Sequence, residues 1–232
     1  MKKSTLALIG GLVALSGLAQ AQTIAHIEIA YTTTTGVRNS VGGTSNSRTL
    51  LNVKYDLMRD AEARSIGNIN WRRSSHRNTT YNSRNQTSST QLTRLLSGSQ
   101  LSGFRSHRDQ QNADVGQLFC DWTDSAIGLA FRPGWASICR REVLSVNSGS
   151  SPAVWTSAHE FGHSMAATHE RGFCMTQNRR TIMETNGGSC GDRRRIGYFS
   201  STRRLNGSRL GNANNNNRSL IRAQAPWTQR QQ

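Results

Sequence analysis

Apolar residues recur along this chain with two different periods. Ala25, Ile27, Ile29 and Tyr31 alternate with polar His26 and Glu28, and this period of two predicts a strand over Thr23 to Thr33 with one apolar face. Thr34 to Ser47, rich in Gly, Ser, Asn and Thr, predicts a loop. Leu50, Val53, Leu57, Met58 and Ala61 then follow at helical spacing, so a helix is expected from about Arg48 to Arg64, ending before Gly67. Ile69 to Arg73 reads as a second strand, Ser74 to Ser89 as a polar exposed loop, and Leu92, Leu95 and Leu96 as a short helix. Three more strands are expected at Ala113 to Trp122, Ala126 to Phe131 and Ala136 to Leu144, followed by a Ser/Gly/Asn loop over Ser145 to Ser151. Ser151-Pro152 has the form of a helix start, with serine as the N-cap and proline in the first helical position. Strands first and a long helix later give an α+β class.

The two ends depart from this pattern. Lys2 and Lys3 precede an apolar run over Thr5 to Leu18, and Ala19-Gln20-Ala21 has the small-x-small form of a signal-peptidase site. The run is shorter than the roughly 20 residues of a membrane span, and no later stretch is apolar enough to be one. Residues 1–21 are therefore expected to be a signal peptide and residues 22–232 a secreted domain. The first strand begins close to that cleavage site, which leaves no room for a propeptide. Beyond His169 the chain turns rich in Arg, Gly and Asn and ends near Asn214-Asn215-Asn216-Asn217. This predicts a small irregular lobe over 167–232 beside a sheet lobe over 22–166.

Charge and cysteine content add two constraints. The formal net charge is +16, and once Lys2 and Lys3 are removed Lys54 is the only lysine left among the cations. Arginine offers a planar fork for carboxylates and phosphates, although net charge alone speaks to solubility and not to fold. The four cysteines, at 120, 139, 174 and 190, suit two disulfides in an exported chain. Three pairings are possible; Cys120–Cys139 and Cys174–Cys190 are preferred because each closes a local loop. No Cys-x-x-Cys occurs, which argues against a cysteine zinc site.

The chemistry concentrates in Ala158-His159-Glu160-Phe161-Gly162-His163. On a helix His159 and His163 are separated by about 6 Å of rise and about 40° of rotation, so both imidazoles face one way. That arrangement suits two corners of a tetrahedral zinc site with Glu160 beside them as general base. His169, six residues on, would point roughly 240° away if the helix continued. For His169 to join the site, the chain must leave the helix near Ala166. Glu184 is a rival third ligand, although Thr185-Asn186-Gly187-Gly188 after it does not look helical.

His-Glu-x-x-His, the third histidine and a methionine in Thr181-Ile182-Met183 together resemble the metzincin metalloproteases, whose motif is His-Glu-x-x-His-x-x-Gly-x-x-His followed by a methionine turn. Asn112 to Leu118 and Ala126 to Ala130 are similar to the edge-strand region of reprolysin-like members. Arg195-Ile196-Gly197-Tyr198-Phe199-Ser200, with Gly207 and Gly211, resembles bacterial peptidyl-Asp metalloendopeptidases. The resemblance implies an N-terminal twisted mixed sheet with helices, a zinc-binding active-site helix and an irregular C-terminal lobe. It implies Zn2+ bound by His159, His163 and His169, Glu160 as general base, and Met183 as a hydrophobic floor beneath the metal. Ala166 stands where the family has glycine, and Thr185 where some members have a tyrosine that stabilises the oxyanion.

Protein or peptide substrates follow from the resemblance, and a monomer is expected. Arg171, Arg179, Arg180, Arg193, Arg194 and Arg195 would line the lower wall of the cleft, with Arg179, Arg180 and Arg193 contacting acidic substrate residues. The alternative is a catalytically weak basic protein that binds an anionic cell-surface polymer or, less in keeping with the motif, nucleic acid.

Overall fold

The computed structural model describes residues 25–67, 69–140, 143–144, 155–176, 178–185, 190 and 194–228. The expected signal peptide, the Ser151-Pro152 helix start and Arg193 lie outside these residues.

The first half of the chain builds one sheet. β1 (Ala25–Thr33), β2 (Ile69–Asn78), β3 (Val115–Cys120) and β5 (Ala136–Arg140) run parallel, and β4 (Gly128–Ala130) runs antiparallel at one edge. The order is β2-β1-β3-β5-β4. Parallel strands need crossovers that cover both faces, so a central strand is buried on both. All six residues of β3 are buried. Helices α2 (Thr44–Ser65) and α5 (Thr156–Ser164) pack on one face, where Met58, Trp71, Phe119 and Phe161 share a core. On the other face α3 (Ser88–Ser97) and α4 (Ser102–Gln110) enclose Leu95, Phe104, Leu118 and Ile138.

Several elements differ from the sequence expectation. β2 continues to Asn78 through residues expected to be loop. Its register with β1 shifts between Ile29 and Ala30, which leaves Ser74 as an extra residue on the β2 side. Backbone pairing with β1 holds this segment in the sheet although its side chains show no alternation. A short α1 (Thr35–Ser40) occupies part of the expected Thr34 to Ser47 loop, with the Thr34 hydroxyl accepting from the Val37 amide at 3.4 Å. α4 has no counterpart in the sequence reading, because only Phe104 of its residues is buried.

One of the two expected disulfides is absent. Cys174 and Cys190 are bonded, with Cα atoms 5.3 Å apart, but Cys120 and Cys139 are free and buried. Cys139 pairs in register with Phe119, not with Cys120. Successive strand residues point to opposite faces, so the two thiols lie on opposite sides of the sheet. Loop length favoured this pair; strand register forbids it.

The C-terminal lobe is small and irregular, as expected. Its strands are β6 (Cys174–Met175), β7 (Arg179–Arg180) and β8 (Arg194–Arg195), followed by a hairpin of β9 (Arg204–Leu205) and β10 (Ser208–Arg209). Helix α6 (Asn217–Thr228) closes the chain, its Ile221 and Ala225 reaching the same core as α2 and α5.

Candidate metal centre and active site

α5 lies across the sheet with its buried face toward β5 and β4. A buried polar contact fixes it there: Gln117 of β3 accepts from the Ser157 hydroxyl at 2.5 Å and donates to Ser137 of β5 at 3.0 Å. Ser157 precedes His159 by two residues, so this contact holds the first turn of the motif helix. Its only sequence signal was a glutamine inside an otherwise apolar strand. Replacing Gln117 by leucine leaves the Ser157 and Ser137 hydroxyls without this partner in the core. A loss of about 2 kcal/mol is expected in urea unfolding.

The helix ends where His169 requires it to. Met165 is the C-cap and Ala166 adopts φ +67°, the left-handed region. The Ala167 amide donates to Gly162 O at 2.8 Å and the Ala166 amide to His163 O at 2.9 Å, the paired bonds of a Schellman stop. Alanine in this conformation costs about 1–2 kcal/mol. Ala166→Gly should raise stability by about 0.5–1 kcal/mol, since part of the relief is offset by glycine's freedom in the unfolded chain. Hydrolysis should be unchanged or faster; lower stability in the same unfolding assay contradicts this account of the turn.

The reversal brings three imidazoles together. The Nε2 atoms of His159 and His169 are 2.9 Å apart, those of His163 and His169 2.9 Å, and those of His163 and His159 3.1 Å. His159 Nδ1 donates to Ile182 O and His163 Nδ1 to Ala167 O, each at 2.9 Å. These carbonyls fix the tautomer, so both rings direct an Nε2 lone pair at the same point. Facing lone pairs repel unless a cation lies between them. A tetrahedral zinc with Zn–N bonds near 2.0–2.1 Å asks for nitrogens about 3.3 Å apart, within a few tenths of an ångström of these values. The donor set therefore fits zinc.

Burial grades from His159, which is buried, through half-buried His163 to exposed His169, leaving one side of the cluster open. All three are held neutral, as ligands must be. Burial, then Arg195, pushes His159 well below the usual imidazole value; burial takes His163 down to about 4 and also lowers His169. Glu184 is not in this cluster. Its carboxylate lies near the sulfurs of Cys174 and Cys190, and its carbonyl accepts from Arg195 at 3.3 Å.

Glu160 is 4% exposed and lies against the edge strand β4. A Cβ on Gly128 would overlap its carboxylate, with Cδ only 2.7 Å away, so glycine is what admits Glu160 there. Burial pushes the Glu160 carboxyl up to about 8, opposed by Arg195. Met183 lies against α5 at Gly162, where a Cβ would come 2.6 Å from its Sδ and 2.8 Å from Phe199. Gly162 was not singled out in the sequence because it fills one of the two unspecified positions of the motif.

The arginines divide. Arg179 is half-buried, Arg180 is 1% exposed, and the two pair in register with Arg194 and Arg195. Arg195 is the one whose field reaches His159, Glu160 and His169. It was not among the three expected substrate contacts, being one of three consecutive arginines that sequence alone does not rank. A cavity of about 460 Å³ opens from His169 along Glu170, Phe173, Cys174 and Glu184.

The profile of the reprolysin-like metallopeptidases, family M12B, matches residues 23–170. That span covers more than half of the chain and runs from β1 to the residue after the third histidine. The chain belongs to the reprolysin-like metallopeptidase family. The match stops before Met183, the disulfide and Arg195. No curated protein matches the sequence. A solved structure described as "Structure of a chaperone-substrate complex" shares the fold at a TM-score of 0.71 and 17% identity. The alignment covers 89% of this chain and 35% of that one, so the chain spans about a third of the solved chain's length. Membership in the metallopeptidase family agrees with the α+β fold and with the three-histidine cluster. Among the described residues no helix is long and apolar enough to cross a membrane.

Proposed function

We propose that the protein is a secreted, zinc-dependent metalloendopeptidase with His159, His163 and His169 as the metal ligands. The convergence of three Nε2 atoms within 3.1 Å, two of them with tautomers set by backbone carbonyls, carries this reading. Zinc held there supplies Lewis acidity, which acidifies water and polarises a carbonyl. The chain's own residues supply the rest. Glu160, on the neighbouring helical position and facing β4, accepts the proton of the attacking water in its ionised form and returns it to the leaving amine. Arg195 and a cation held by the three histidines would favour that ionised form against the effect of burial. β4 is the last strand of the sheet, so its outer backbone groups can pair with an extended substrate and set the peptide over Glu160. Met183 fills the floor beneath the histidines, and the space left by Gly162 lets it approach. Thr185 offers no phenol to the developing oxyanion.

Acidic substrates are the finer part of this proposal. Arg180 and Arg195 pair across β7 and β8, and a guanidinium beside the catalytic carboxylate favours a negatively charged substrate side chain next to the cut bond. Arg179 and Arg193 remain proposed as outer contacts. In a peptide-library digest, Asp and Glu should be enriched beside the cleavage site, and Arg195→Gln should reduce that enrichment about tenfold. Equal cleavage at neutral residues by the wild type would remove the acidic preference and leave the hydrolase reading intact. The hydrolase reading itself is tested by metal content and casein hydrolysis of the purified protein. A chain without stoichiometric zinc and without hydrolysis contradicts it.

A further inference from the structure

The sheet edge farthest from the metal centre has its own chemistry. β2 ends the sheet opposite β4, four inter-strand steps or about 19 Å across. The bulge at Ser74 changes which residues share a face there. Before it, Arg73 lies with Trp71 on the α2 side; after it His76 and Asn78 take that side, while Ser75 and Arg77 turn to α4. His107 of α4 bonds Ser75 at 2.7 Å and Arg77 donates to Gly103 O at 2.8 Å, which confirms the flip.

Cations line both faces of this edge, Arg38, Arg48 and Arg73 on the α2 side and Arg77 on the α4 side. Arg38 donates to Thr33 O at 2.8 Å, to Thr79 O at 3.0 Å and to the Thr35 hydroxyl at 3.0 Å. His76 lies 3.4 Å from the Thr33 hydroxyl, so guanidinium and imidazole flank one residue while the outer guanidinium keeps its charge uncompensated. The guanidinium of Arg73 lies 5.9 Å from the ring centre of Tyr55. Arg48, exposed in the first turns of α2, is near enough to add its field at the same imidazole. The ion pairs recorded among the described residues are Arg59–Asp56, Arg64–Asp60 and Arg108–Asp109, and none of them neutralises Arg38, Arg48, Arg73 or Arg77. Burial comes first in depressing His76, to about 4, and Arg48, Arg38, Arg73 and His107 all add in the same direction, with no carboxylate opposing them.

Uncompensated like charge on a folded surface destabilises the free protein and is relieved by a bound polyanion. All four strong cations are arginines, whose fork suits phosphate oxygens. Tyr55, the aromatic ring at this edge, is already engaged by Arg59 and Arg73 and donates its hydroxyl to Trp71 O at 2.6 Å. It therefore gives no platform for stacking a nucleobase.

We propose that the β2 edge, with Arg38, Arg48, Arg73 and Arg77, is a second binding surface for a linear phosphodiester polymer without aromatic bases. A polyol-phosphate chain of the kind that can coat a cell surface fits this description. The surface is remote from the cleft, so a polymer can anchor the protein while peptides still reach the three histidines. This inference does not depend on hydrolysis.

The test uses the full mature protein and a fluorescently labelled poly(glycerol phosphate) chain, followed by anisotropy. Four phosphate contacts, each releasing about 0.7 counterion, predict an affinity loss of about 50-fold between about 50 and 200 mM salt. Combined Arg48→Glu, Arg73→Glu and Arg77→Glu should weaken binding by at least about tenfold, while hydrolysis of a small neutral peptide stays at the wild-type rate. The same reversal at exposed Arg203, Arg204 and Arg209 in the C-terminal lobe should change binding by less than about threefold. Equal loss in the two triple variants would mean that net charge alone binds the polymer and would overturn the proposal. So would unchanged binding in the β2 variant, tighter binding of oligothymidylate or polyglutamate, or a preference for anionic lipid vesicles. Retained peptide hydrolysis with no polymer binding overturns this inference and leaves the hydrolase reading standing; the converse result does the reverse.

Discussion

Glu160→Gln should retain zinc and lower peptide hydrolysis by about 10²–10⁴-fold, the range general bases supply. The side chain is enclosed by Gly128 and is 4% exposed, so an amide of the same shape keeps the packing that an alanine would empty. It cannot accept the proton. The measurement is a ratio of kcat/KM values for one peptide, with metal content determined on the same samples. Wild-type activity in Glu160→Gln would remove the residue from the chemistry. Loss of zinc together with activity would instead make Glu160 a support for the ligands. The decisive outcome is therefore zinc present and hydrolysis lost.

Removing the metal should have the second largest effect, and part of it can be read without activity. With zinc at roughly 1,000 times its dissociation constant, binding adds about 4 kcal/mol to the folded state. Chelation should remove that amount and lower the thermal midpoint by about 8–16 °C, since the three Nε2 atoms would then face one another at 2.9–3.1 Å with no cation between them. His169→Ala should reproduce most of the loss in zinc content, because exposed His169 is the proposed ligand that the Ala166 turn brings to the other two histidines. Glu184→Ala should leave zinc stoichiometric, since its carboxylate belongs to the Cys174 and Cys190 neighbourhood. A variant that loses zinc through Glu184 and not through His169 would reverse the assignment. Either result can be read by metal analysis alone.

How far the sequence carried the fold depended on burial. β1 and α2 were legible because their apolar residues recur with the period of a strand and of a helix, and β3 because apolar residues dominate it. β2 beyond Arg73 was not, because an edge strand with polar residues on both faces is held by backbone bonds that leave no pattern. The disulfides show the same division. Both pairs close short loops, but Cys120 and Cys139 occupy adjacent strands one residue out of register and so face opposite layers.

The candidate site divides in a similar way. His159, Glu160 and His163 could be placed on one helical face by counting residues, and the spacing of His169 required the helix to end near Ala166. The stop itself is set by bonds from Ala166 and Ala167 back to His163 and Gly162. What Arg195 and Gln117 do became visible only in three dimensions. Arg195 acts through a field across elements distant in sequence, and Gln117 through hydrogen bonds to residues 20 and 40 positions away.

By itself, the sequence singled out the three histidines proposed as metal ligands and where the helix bearing the first two must stop for the third to join them, because both follow from spacing along one local element. Tertiary structure alone decided that the three Nε2 atoms meet within 3.1 Å, that Gly128 and Gly162 make room for Glu160 and Met183, and that two of the four cysteines stay apart. Local periodicity records which face of an element is buried. It does not record which distant element covers that face.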